Sequence, residues 1–229
     1  MRFVSILGDS ISTYAGFSPE GYAVFYDDAM QKKNGLDSVY DTWWAKVNQA
    51  LRAYLCVNNS YSGSKVSGSN FPSAVSPYRT AGMHTDQHLP DIILIYMGFN
   101  DWGNGVPVMS NSFGMAETHD SRYFAAAYTQ MLRQLKTNYP NTKIVCGTLA
   151  RSTMATNENW EFPECFAGVD LEDYNNAIRQ VCRMEGCFLA DIGALPFRYE
   201  TLDGSHPTRN GHYALFQAWV YCLSGLGFL

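Results

Sequence analysis

The triplet Gly8-Asp9-Ser10 closes a short apolar run at one end of the chain, and Asp203-Gly204-Ser205-His206-Pro207 stands near the other end. A serine hydroxyl is a weak nucleophile at neutral pH. It gains force when a histidine takes its proton and a carboxylate orients that histidine. Ser10, His206 and Asp203 are residues of those three types. Asp203 and His206 are three apart on one glycine-containing turn, so they can meet without help from the rest of the fold. The chemistry implied is acyl transfer through a serine.

Such chemistry also needs donors aimed at the oxyanion of a tetrahedral intermediate. The backbone N–H of Ser10 is one. In Asn59-Ser60-Tyr61-Ser62-Gly63, the glycine can bring its N–H close to a substrate with no Cβ in the way, and Gly68 is near enough to compete for that role. In Gly98-Phe99-Asn100-Asp101 the side-chain amide of Asn100 is a third. Asp9 and Asp101 are expected to brace their own turns by accepting nearby N–H groups.

These residues need a frame that gathers them. Phe3, Val4, Ile6 and Leu7 read as a buried strand, which Gly8 ends by permitting a turn that most side chains resist. Strand-length apolar runs occupy 2–7, 54–58, 91–97, 143–149 and 187–191, and the run Ile92-Ile93-Leu94-Ile95-Tyr96-Met97 is nearly continuous, as in a central parallel strand covered on both faces. Helical spacing predicts helices after Asp41-Thr42 through Leu51, over 121–138 ahead of Pro140, over 171–184 and over 210–223. Alternating β and α segments predict a doubly wound parallel sheet with right-handed crossovers, folded as a single domain over 1–229.

In such a sheet, ligands bind beyond the carboxyl ends of the strands, where Ser10 would sit. Three long connections, 13–39, 102–120 and 150–170, each follow a strand and should wall that crevice. Their aromatics are Tyr14, Phe17, Tyr22, Phe25, Tyr26, Trp102, Phe113, Trp160 and Phe162, a set that suits a sugar or an acyl chain. Trp102, with Arg79 and His84 from the polar segment before the third strand, is a candidate for contact with substrate. His84, His88, His119 and His212 read as ordinary structural or surface histidines.

Sixteen Lys and Arg against 21 Asp and Glu give a formal charge of -5 with no basic block, which argues against a nucleic acid partner. No apolar stretch approaches the roughly 20 residues of a membrane span, and the first residues lack a signal peptide's pattern. No CxxC pair occurs among the six cysteines, which are expected to be buried, reduced thiols; Cys182 and Cys187 are the nearest pair. The expected compartment is the cytoplasm. No metal or other cofactor is implied, and the expected partner is a small-molecule or glycan ester. Aromatics on the loops or the last helix leave room for a homo-oligomer.

Glycine, aspartate and serine at the first strand, glycine after the second, Gly-x-Asn-Asp after the third and Asp-x-x-His-Pro near the C-terminus occur here in one order. With these blocks the chain resembles the SGNH, or GDSL, hydrolase superfamily over nearly its whole length. The resemblance implies a three-layer α/β/α fold with a five-stranded parallel, flavodoxin-like sheet. It also implies a serine esterase with Ser10 as nucleophile, His206 as base, Asp203 as its orienter, and Ser10, Gly63 and Asn100 as the oxyanion hole. Ser60 stands where many members have glycine, and Ile11 replaces the leucine of the GDSL pattern. The superfamily includes lipases, thioesterases, acyltransferases and carbohydrate deacetylases. The aromatic, polar loops tilt the expectation toward acetyl groups on a carbohydrate. An acyltransferase or thioesterase on the same site and a metal-dependent phosphoesterase using Asp9, Asp101, His206 and His212 are the alternatives within the enzymes, and a non-catalytic glycan- or acyl-binding module is the alternative outside them.

Overall fold

Ile92 to Tyr96 form a strand in which every residue is buried, because helices cover both of its faces. The computed structural model of the chain describes residues 1–109 and 120–229, so Phe113 and His119 lie outside the described residues. In chain order the first elements are β1 (Arg2–Gly8), α1 (Asp28–Lys33), α2 (Trp43–Ala50), β2 (Ala53–Ser60), α3 (Pro77–Ala81) and β3 (Ile92–Tyr96). There follow α4 (Phe99–Gly103), α5 (Phe124–Asn138), β4 (Lys143–Gly147), β5 (Ser152–Met154), β6 (Cys165–Phe166) and β7 (Val169–Asp170). The last are α6 (Leu171–Glu185), β8 (Phe188–Ala190), β9 (Tyr199–Thr201) and α7 (Arg209–Gly225).

The central sheet has the order β2-β1-β3-β4-β8 with every neighbouring pair parallel, the flavodoxin-like arrangement. Helices α2 and α7 pack together on one face; α3, α5 and α6 cover the other. On the first face the Trp43 and Trp219 rings stack at 5.1 Å, and both meet Tyr96 of β3 edge-on. On the second, Phe124 of α5 and Tyr174 of α6 meet at 4.8 Å. Thr42 caps α2 by accepting the Ala45 N–H. Helix α5 starts at Phe124, three residues later than its periodicity predicts.

Gly8 ends β1 for a reason other than backbone handedness. A Cβ there would lie 2.6 Å from Ser12 Cβ and 2.7 Å from Ser60 Oγ, so what the position demands is room for the close approach of the Ser10–Ser12 turn and the end of β2. The cysteines also depart from expectation. All six are free, but only Cys146 and Cys182 are buried, and Cys165 is exposed. Among the described residues no helix is long and apolar enough to cross a membrane.

Outside the main sheet, β5 and β9 pair in parallel, bringing the segment after β4 against the segment that leads to His206. Neither strand was legible from its sequence. Each is three residues long, too short to show a period.

Candidate active site

The chain leaves β1 through a 3-10 turn, Ser10 to Ser12, which Asp9 caps by accepting the Ile11 N–H on Oδ1 at 3.0 Å. Ser10 is therefore held rigidly just beyond the sheet edge, 7% exposed. His206 arrives from the connection between β9 and α7. There Asp203 Oδ1 accepts the backbone N–H groups of Ser205 at 3.0 Å and of His206 at 2.8 Å, closing a tight turn. Gly204 N–H donates to Thr201 Oγ1, Tyr199 O–H to Ser205 O, and Tyr26 O–H to Pro207 O. The loop that carries the imidazole is thus pinned along its length.

The result is a line of contacts. Asp203 Oδ2 lies 2.8 Å from His206 Nδ1, and His206 Nε2 lies 2.9 Å from Ser10 Oγ. With Nδ1–H donating to the carboxylate, the Nε2 lone pair faces the serine hydroxyl, the tautomer a general base requires. The Phe25 ring stacks on the imidazole at 3.4 Å between centroids, and the Phe25 backbone N–H donates to Thr13 Oγ1. Burial pushes the Asp203 carboxyl up, but hydrogen bonds from the His206 ring and from the His206 and Ser205 backbone outweigh it and bring it down to about 2. The carboxylate stays charged at any pH near neutrality.

The three expected donors lie on the segments that follow β1, β2 and β3. The Ser10 N–H opens the 3-10 turn. Gly63 has a left-handed φ of +79°, and its N–H finds no acceptor among the described residues. Gly68, the competitor, spends its N–H on Ser121 O at 2.8 Å. Asn100 Nδ2 donates to Ser64 O at 3.0 Å, which uses one amide hydrogen, leaves the other for a ligand and sets the amide one residue from Gly63. Asp101 braces a neighbouring loop and not its own turn: Oδ2 accepts from Val66 N at 2.8 Å and Oδ1 from Ser67 N at 2.9 Å. It thereby clamps the Asn100 segment to the Gly63 segment.

Ser10, Asn100, Trp102 and Asp203 line one cleft of about 360 Å³, walled by Trp160, Phe162 and Phe166, with Asn104 and Ser205 adding polar groups. Trp102 stacks on Phe162 at 5.4 Å and donates its indole N–H to Val169 O. Phe166 and Asn104 were not singled out in the sequence, and Phe25 was read as a crevice wall, not as the ring that stacks on His206. Each sits in a long connection where nothing distinguishes a wall residue from its neighbours. Two expectations are corrected. Arg79 is wholly buried and all its hydrogen bonds go to protein oxygens, so it cannot touch a substrate. His84 points away to Tyr139 Oη and Ala81 O, outside the cleft.

Three of the four groups that could have suggested a metal centre, Asp101, His206 and His212, are otherwise engaged. Asp101 is spent on Val66 and Ser67, and His212 Nδ1 accepts the Trp43 N–H at 3.3 Å, which ties α7 to α2. Burial pushes His212 down to about 3, so it remains neutral. Among the described residues no group of three or more His, Cys, Asp or Glu side chains could hold a metal ion.

Asp9 has a second consequence. Its Oδ2 is buried without a partner among the described residues, and burial pushes the carboxyl up to about 7. A folded-state value above the unfolded one means that the folded chain holds the proton more tightly. The resulting stability is present below pH about 4 and is lost as pH rises through about 7. Asp9→Asn keeps an acceptor for Ile11 and never ionises. Its melting temperature relative to wild type should therefore improve between about pH 5 and about pH 8. A constant offset across that range would contradict the raised value.

Residues 2–161 match the model of the GDSL-like lipase/acylhydrolase family. The chain belongs to that family. As a GDSL-like acylhydrolase it is an ester-hydrolysing enzyme. No curated protein matches it. Among solved structures it is similar to a candidate GDSL-like lipase from Bacteroides ovatus, at 22% identity over 98% of this chain and 99% of that one, with a TM-score of 0.74. It is also similar to a carbohydrate acetylesterase from Sinorhizobium meliloti, at 14% identity over the whole of both chains and a TM-score of 0.64. A family two carbohydrate esterase from Clostridium thermocellum matches all of this chain over 65% of its own length, at 20% identity and a TM-score of 0.58. At these identities the likeness is one of fold.

Proposed function

We propose that the protein is a serine esterase that removes small acyl groups, acetyl foremost, from hydroxyls of a carbohydrate. The observation that carries this reading is the unbroken line from Asp203 Oδ2 through the His206 ring to Ser10 Oγ, with contacts of 2.8 and 2.9 Å. Ser10 Oγ attacks the ester carbonyl carbon as His206 Nε2 takes the hydroxyl proton. The carbonyl oxygen becomes an oxyanion, held by the N–H groups of Ser10 and Gly63 and the Asn100 amide. Collapse breaks the bond to the leaving alcohol, which departs with the proton from His206, and leaves an acyl-Ser10. Water then attacks that acyl group, gives a proton to His206, and the second collapse frees the acid and restores the Ser10 hydroxyl.

The preference for a sugar ester is supported by the character of the cleft. Aromatic faces of Trp160 and Phe166 offer stacking surface, while Asn104 and Ser205 offer partners to hydroxyl groups. The resemblance to two carbohydrate esterases runs the same way. A serine-directed fluorophosphonate should label Ser10, and EDTA should leave turnover intact. Acetylated sugars should be cleaved faster than p-nitrophenyl esters of long acyl chains. Failure to label Ser10 would remove the acyl-enzyme, and a preference for long chains would replace the carbohydrate with a lipid.

A further inference from the structure

The acyl-enzyme chemistry leaves one buried cation unused. Arg79, on α3, has no exposed surface, and among the described residues no carboxylate forms a salt bridge with it. Burying an arginine without an acid is expensive, and the usual compensation is missing here. Burial lowers it only to about 10, so the guanidinium stays charged near neutrality.

Its hydrogen bonds go instead to neutral oxygens at the ends of two strands. Nη2 donates to Gly8 O at 2.8 Å and to Asn59 O at 3.1 Å; Nε donates to Asn59 Oδ1 at 3.0 Å, and Nη1 donates to Pro72 O. Gly8 is the last residue of β1, two before Ser10. Asn59 is the last but one of β2, four before Gly63. The side chain of Asn59 returns the grip, donating to Arg79 O at 3.3 Å and Gly82 O at 2.9 Å. Beyond Gly8 and Ser60 the β1–β2 ladder ends, and the two strand ends are joined by the Tyr61 N–H on Gly8 O, by the Asn58 side-chain amide on Ser12 O at 2.8 Å and by this guanidinium.

From this geometry we infer that Arg79 is a positioning residue for the oxyanion hole: its planar fork fixes the separation of the β1 and β2 ends, and so the convergence of the Ser10 and Gly63 N–H groups. This rests on the acyl-enzyme reading above. The rigid fork is what the position requires, since lysine would keep the charge and lose the simultaneous contacts to both strands.

The test compares wild type with Arg79→Lys for kcat and KM on p-nitrophenyl acetate, affinity for phenylboronic acid, and thermal unfolding. The boronate forms a tetrahedral adduct on Ser10 and so reads the oxyanion hole, which KM does not. A misplacement of an ångström is worth about 100-fold, so kcat and boronate affinity should fall together by about 10- to 100-fold with KM within about 3-fold. Millimolar guanidinium should restore part of the loss in Arg79→Ala. If Arg79→Lys does not fold, Asn59→Ala, which removes one contact and leaves the guanidinium in place, should lower kcat and boronate affinity in parallel. Retention of kcat in a folded variant, or a loss that only follows the unfolded fraction, overturns the clamp. Wild-type enzyme that fluorophosphonate fails to label would overturn the acyl-enzyme and the clamp with it; labelled wild type with an unimpaired variant overturns the clamp alone.

Discussion

Ser10→Ala should abolish hydrolysis of p-nitrophenyl acetate, by roughly 10⁴- to 10⁶-fold in kcat, while leaving the protein folded. The two halves of that expectation have separate grounds. The hydroxyl is the atom that would carry the acyl group, and no other serine or cysteine lies on His206 Nε2 among the described contacts. Structurally the hydroxyl contributes one contact to a histidine, worth about 1 kcal/mol. The 3-10 turn around it is held by Asp9 and by the Thr13 N–H on Ser10 O, which the substitution leaves untouched. Turnover measured beside a melting curve checks both, and an active, folded alanine variant would end the acyl-enzyme reading.

Asp203→Asn is the next largest, and its effect should come through a proton. The asparagine oxygen can still accept the Ser205 and His206 N–H groups, so the turn should survive. Its amide, however, would donate to Nδ1, forcing the ring proton onto Nε2 and pointing it at Ser10 Oγ. The base then has no lone pair to offer, and kcat should fall by about 10³- to 10⁴-fold with KM nearly unchanged. The wild-type carboxylate, held down to about 2, contributes stability above its ordinary titration range that is lost as pH falls through about 2. Acid unfolding of Asp203→Asn should lack that contribution, which a melting series from neutral to acid pH measures.

The main sheet was legible because buried parallel strands are continuous apolar runs, and the long helices because Phe124, Tyr128, Met131, Leu132 and Leu135 recur at helical spacing. The contact between Asp203 and His206 was legible because their spacing is local, and the meeting of His206 with Ser10 because both were expected at the same sheet edge. Helices α1, α3 and α4 were not, since five or six residues span fewer than two turns and cannot show a repeat. Arg79 misled because a charged residue in a polar stretch usually faces water. Only three-dimensional placement reveals that it lies beneath two strand ends. Asp101 shows the same limit: its partners are more than thirty residues away in sequence, and no local pattern names them.

The segment after β4 serves two masters. It supplies β5, whose Ser152 Oγ donates to Gly204 O at 2.7 Å, and it supplies Trp160, whose ring would lie 2.9 Å from a Cβ at Gly204. The same stretch that shapes the room for substrate is therefore bolted to the turn that aims the imidazole. Any change in ester preference that reshapes Trp160 should disturb the aim of His206 as well. New selectivity on this scaffold should accordingly arise first in other walls of the cleft, at Asn104 or Phe166, whose replacement leaves that turn alone.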